Sequence, residues 1–156
     1  MGSRASADER RGRTQELIER LIDERRRLLV LYERVAGVTP YEDEPPTPEL
    51  LAEFFQILVD YIAAGHFGLY ERIAKGEERR RAVVGLARDI YPRIAATTDA
   101  AMQANDAYER AGRRGLTVKL ARMLWAMGEQ LALRIDLEDR LIAAMVGRPE
   151  EQRVAD

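Results

Sequence analysis

The 156-residue chain has no cysteine, which removes disulfides, thiol catalysis and cysteine-ligated zinc from consideration and fits a reducing compartment, the cytoplasm by default. It has one histidine, His66, too few for an imidazole-rich metal site. Charges break every apolar run well short of the ~18 residues of a membrane span, and the first residues lack the apolar core of a signal peptide, so a soluble protein without membrane contact is expected. Neither sign of charge dominates: 25 Lys+Arg against 27 Asp+Glu leave a net charge of −2, without the positive field that direct nucleic-acid binding needs. Also missing are G-x-S-x-G, H-E-x-x-H and a phosphate-cradling glycine loop, so neither an enzyme, a cofactor nor a small-molecule substrate is expected.

What remains is helical periodicity with nothing that reads as strand. Residues 1–13 are small and charged without an apolar stripe and are expected to be a disordered lead-in. A first helix, Thr14 to Ala36, carries Leu17, Ile18, Leu21, Leu28, Leu29, Tyr32 and Val35 on one face, interrupted by Arg25, and ends at Gly37. The Pro- and acid-rich segment Val38 to Thr47 is a loop. Thr47 as N-cap, with Pro48 at the first position and Glu49 in the first turn, opens a second helix reaching Ala74. Gly65 and Gly68 inside it each cost roughly 1 kcal/mol relative to alanine, which predicts a close approach by another group. After a break at Lys75-Gly76, periodicity resumes from Glu77 to Ala111 through Val83, Ile90, Ile94, Ala101 and Tyr108, with Pro92 set to kink or split the helix. Gly112 and Gly115 bracket a turn. The last helix, Leu116 to Val146, places Leu120, Leu124, Met127, Leu131, Glu138, Ile142 and Met145 at three- and four-residue spacing. The expectation is an all-α antiparallel bundle of four long helices, the third kinked or split at Pro92, forming one domain over 14–146 before a polar tail, 147–156.

Two features of this pattern point toward function. Projected at about 100° per residue, Leu58, Ile62, Leu69 and Ile73 share a face that also holds His66, while Glu49, Glu53, Asp60, Phe67 and Glu71 align on the opposite side. An aromatic ring in a row of carboxylates resembles a docking surface for a basic helical partner. Separately, Arg25, His66 and Glu138 interrupt the apolar faces of three helices, and burying any of them alone would cost several kcal/mol, so a mutually satisfied polar network is predicted. The alternative is a metal-binding bundle of the hemerythrin type, or a small bundle enzyme, because HFGLYE is similar to the HFxxEE signature of that fold. The spacing argues against it: Tyr70 occupies the position four after His66, and there is no second histidine. The arginine clusters Arg25-Arg26-Arg27, Arg79-Arg80-Arg81 and Arg113-Arg114 read as solvated helix faces.

Four segments in order, RLLVLYERVAGVTP (27–40), LVDYIAAGHFGLYERI (58–73), DIYPRIAATTDAAM (89–102) and GEQLALRIDLEDRLI (128–142), closely resemble the Rsd/AlgQ family of bacterial regulators of sigma D. The resemblance spans about 14–146 and implies a cytoplasmic α-helical bundle. It further implies an anti-sigma factor that binds the housekeeping sigma factor of RNA polymerase, chiefly the C-terminal region reading the −35 promoter element. The family's D-Y-x-x-A-G-H-F signature falls on Asp60, Tyr61, Ala64, Gly65, His66 and Phe67, with the aspartate as the expected sigma contact. Taken with Glu53 and Glu71 of the projected carboxylate row, the signature positions Asp60, Tyr61, Ala64 and Phe67 make up the expected partner-binding set, an acidic surface that would imitate the charge of DNA before a basic helix-turn-helix module. The Pro-rich loop at Val38 to Thr47 and the arginine-rich turn at Gly76 to Arg81 depart from the family pattern.

Overall fold

A computed structural model describes residues 2–36, 46–74, 80–111 and 116–146 of the chain, and among the described residues there is no strand. Helix α1 spans Gly2–Val35 and α2 Pro48–Gly65; α2 continues through a π-helical turn, His66–Tyr70, into the short α3, Glu71–Ala74. Helices α4, Arg81–Arg110, and α5, Val118–Val146, complete four long helical arms. The expected breaks at Lys75-Gly76 and at Gly112 and Gly115, most of the Val38 to Thr47 loop, and the tail 147–156 lie outside the described residues.

Local chemistry sets the helix ends. The Thr47 side chain accepts a hydrogen bond from the Leu50 amide at 3.1 Å, with Pro48 next to it in the first turn, as the cap signal predicts. Thr117 repeats the device for α5, accepting from the Leu120 amide at 3.1 Å. At the start of α4, the Arg80 guanidinium donates to the Met145 carbonyl at 2.6 Å, supplying a partner to one of the carbonyls left open at the end of α5. Pro92 does not split α4, which is one helix. Helix α1 begins at Gly2 instead of after a lead-in: the segment lacks an apolar stripe, but Ala, Arg and Glu are strong helix formers and extend a helix anchored further along by packing.

The core follows a heptad. Buried positions run Val83, Ala87, Ile90, Ile94, Thr97, Ala101, Ala104 and Tyr108 on α4, and Leu120, Leu124, Met127, Leu131, Arg134, Glu138, Leu141 and Met145 on α5, alternating steps of three and four, with Leu137 buried beside the α5 stripe. That 3.5-residue repeat is the spacing that keeps one stripe facing its neighbours along a whole bundle. Phe54, Phe55 and Tyr108 add a ring cluster, with Phe55 stacked on Tyr108 at 4.4 Å and 12°. Each fully buried leucine, such as Leu21, Leu28 or Leu58, contributes about 1.5–3 kcal/mol by removal from water. Leu29 departs from its expected place on the core face and is exposed, because it lies beside the stripe of Leu21, Leu28 and Val35. The segment Pro48–Ile73 is long and apolar enough to cross a membrane by length and composition. Glu53 and Asp60 interrupt it, and Leu51, Phe54, Phe55, Leu58 and Ile62 face the bundle core.

Candidate docking groove and the polar cluster behind it

Helix α2 carries both features that the sequence singles out, and its heptad frame decides how they are arranged. Leu51, Phe54, Leu58, Tyr61, Gly65 and Gly68 are buried at steps of three and four. Tyr61 therefore lies at the centre of the stripe and His66 outside it. The face drawn through Leu58, Ile62, Leu69 and Ile73 covers only one edge of this stripe, and His66 projects beyond that edge, which is why it is exposed and not, as expected, inside the core.

Seven residues apart on the opposite flank stand Glu53, Asp60 and Phe67, all exposed, Phe67 at 63%. Asp60, Ala64 and Phe67 border a groove of about 380 Å³ between α2 and α1, whose far wall is Leu17, Arg20 and Glu24. Asp60 is steadied by the Gln56 amide, which donates to it at 3.1 Å. Arg20 and Glu24 are not anticipated from sequence, because as outward residues of α1 they are indistinguishable there from an ordinary solvated face. Their presence makes the groove mixed in charge instead of a purely acidic row. Glu71 leaves the row. The π turn, closed by the Glu71 amide on the His66 carbonyl, inserts extra chain and rotates the residues after it about the helix axis. Glu71 and His66 instead border a second groove of about 520 Å³ facing α4, with Arg88 and Tyr91 opposite.

Tyr61 has no exposed surface, so it cannot touch a partner directly as the family signature implied. It belongs to the predicted polar network, whose membership differs from the expected trio. Glu138 is completely buried, takes a hydrogen bond from the Tyr61 hydroxyl and is paired at 3.2 Å with Arg134, itself 1% exposed. Arg134 also donates to Thr97 at 3.2 Å and to Thr98 at 2.7 Å, and lies over the Tyr61 ring at 5.5 Å. Arg25 stands at the edge, bound to Asp139 at 2.8 Å with its side chain 14% exposed, close enough to act on Glu138 by charge alone. His66 takes no part. Burial raises the Glu138 carboxyl above its ordinary value, opposed by Arg134, the Tyr61 hydrogen bond and Arg25. Burial and then Glu138 raise the Tyr61 phenol, which stays a neutral donor. Gly65 is where the close approach occurs: a Cβ there would lie 3.0 Å from Arg134 Nη2 and 3.2 Å from Glu138 Oε2. At Gly68 the neighbour is Leu17 at ordinary contact distance. Arg134 is a member that the sequence pattern did not single out, although its place seven residues from both Met127 and Leu141 was the available signal.

Among the described residues no three His, Asp or Glu side chains gather as a metal site would require. Among the described residues the chain is an all-α bundle of four long helical arms with a buried polar cluster and an aromatic-rimmed surface groove. The sequence profile of the family described as "Regulator of RNA polymerase sigma(70) subunit, Rsd/AlgQ" matches residues 1–146. The chain is similar to the "Regulator of sigma D" of Enterobacter sp. (strain 638), 34% identical over 141 residues covering 88% of this chain and 85% of that protein. It is also similar to the protein of the same name from Salmonella newport (strain SL254), 34% identical over 137 residues, 86% of this chain and 84% of the relative. The chain belongs to the Rsd/AlgQ family.

Proposed function

We propose that this protein binds the sigma(70)-class subunit of RNA polymerase in the cytosol and regulates transcription by withholding that subunit from the enzyme, without catalysing a reaction. The family and its curated relatives support the partner. The observation that carries the docking site is that Asp60 and Phe67, one heptad apart, border a single open groove with Arg20 and Glu24. An exposed aromatic beside fixed charges is the arrangement in which a few residues dominate binding energy. The occupant is the C-terminal helix-turn-helix region of the sigma subunit, whose DNA-reading surface is basic. Occupying it sequesters the subunit by mass action. Glu53 extends the acidic side of the surface, and Ala64 supplies the small residue that lets a partner helix approach. Tyr61 serves indirectly by holding α2 in register through Glu138.

Titration of purified sigma(70) subunit with the wild type and two variants tests this. Asp60→Arg and Phe67→Ala should each weaken binding roughly tenfold or more, while thermal stability stays within about 0.5 kcal/mol because both residues are exposed. Wild-type affinity in both folded variants would remove the groove as the interface.

A further inference from the structure

The outward face of α5 complements itself. Val118, Arg122, Trp125, Ala126, Glu129 and Leu133 fall on one side of the helix. Val118 is 71% and Trp125 69% exposed, Arg122, Ala126 and Glu129 are exposed, and Leu133 is half-buried. Trp125 is the chain's sole tryptophan, and a large apolar ring left this open is an anchor without a pocket. Neither Arg122 nor Glu129 makes an ion pair among the described residues. Standing seven apart, they are too distant to pair with each other along the helix.

These side chains match when the helix is reversed onto a copy of itself. With residue i set opposite residue 251 − i, Arg122 meets the copy's Glu129 and Glu129 its Arg122. Val118 meets Leu133, and the Trp125 ring meets the small Ala126, which leaves room for it. A two-fold contact needs this self-complementarity, each residue serving as both donor and recipient of the same interaction. We propose that two copies of this chain pair antiparallel through α5, about an axis passing between Trp125 and Ala126. The face is built on α5 and is separate from the α1–α2 docking groove, so the pairing does not depend on the identity of the partner bound there.

Sedimentation of the intact chain from micromolar to hundreds of micromolar tests the pairing, with Trp125 emission recorded over the same range. The expected result is a reversible monomer–dimer equilibrium in which the emission moves to shorter wavelength as the dimer fills. Arg122→Glu and Glu129→Arg should each weaken association roughly tenfold or more, since symmetry places two like-charge contacts in every dimer. Both residues are exposed, so folding should be unaffected. An equimolar mixture of the two variants restores both ion pairs and should associate like the wild type, a rescue that no effect on folding would produce. A monomer at every concentration, or a mixture that fails to associate, overturns the proposal. So does a concentration-independent emission that shifts only when sigma(70) subunit is added, which would assign the face to that partner.

Discussion

Glu138 is the residue on which the centre of the bundle depends most. It receives the Tyr61 hydroxyl from α2 and the Arg134 guanidinium from its own helix, while Arg134 reaches Thr97 and Thr98 on α4. Deleting it leaves a buried guanidinium without a counter-charge and a buried phenol without an acceptor. Glu138→Ala should therefore lower stability by roughly 3 kcal/mol, read as a fall in denaturant midpoint. A variant melting at or above wild type would end the scaffold role of this cluster. The carboxyl also gives the cluster a pH signature. Because burial raises its folded value above the ordinary 4.5, the folded state holds the proton more tightly than the unfolded chain. Its stabilising contribution is therefore fully present below about 4.5 and lost as pH rises through the folded value. Wild type compared with Glu138→Gln should show an advantage that shrinks across that window, since the glutamine does not titrate; an advantage that grows with pH would contradict the raised value. Glu138 was legible in the sequence as the one charge in the cleanest apolar pattern. Its partners were not: Arg134 resembles a surface arginine until the heptad is written out, and Tyr61 passes for a half-exposed aromatic. His66 misled because the face was drawn through Leu58, Ile62, Leu69 and Ile73, whereas the buried stripe centres on Tyr61 and Gly65 and leaves the histidine beyond its edge.

Between elements, the seam joining α1 to α5 shows how a single hydrogen atom sets helix spacing. Tyr32 donates to the Leu124 carbonyl at 2.8 Å, and a Cβ built on Gly128 would stand 2.5 Å from the Tyr32 hydroxyl. Alanine at 128 would gain about 1 kcal/mol of helix propensity. It would also push the phenol off its acceptor, at about 1 kcal/mol for the hydrogen bond and another 1–3 kcal/mol for crowding. The steric side wins, and Gly128→Ala should destabilise by about 1 kcal/mol or more. In a Tyr32→Phe background the penalty should shrink, because the nearest obstructing atom is gone; equal penalties in the two backgrounds would show that the contact is not the cause. The glycine was visible in the sequence, but its purpose was not, since nothing local links positions 32 and 128. Helix ends were easier: Thr47-Pro48 declares itself within three residues, whereas the π turn at His66–Tyr70 has no local signature and emerges only in the structure.

At the scale of the whole molecule, four helical periods and three interrupting turns sufficed to define an all-α bundle, because each long helix buries one stripe and short connections force neighbours to run antiparallel. The candidate groove is a different kind of property, arising where two helices from different parts of the chain meet, and only its α2 half could be read in advance. With a net charge of −2 spread over 52 charged side chains, the protein has little global field, so any steering of a basic partner comes from local carboxylates at the groove, Asp60 and Glu24, and from Glu53 beyond it. Arg20 on the facing wall partly offsets them, which limits the expected size of the effect without changing its sign. Such steering acts on the encounter and is screened beyond about 8 Å at physiological ionic strength, whereas the Phe67 contact proposed above would be apolar and insensitive to salt. Raising ionic strength should therefore slow association with the sigma(70) subunit several-fold and leave dissociation nearly constant. Stopped-flow association rates over a salt series decide the matter, and a flat on-rate combined with loss of binding in Phe67→Ala would assign recognition to the aromatic contact alone.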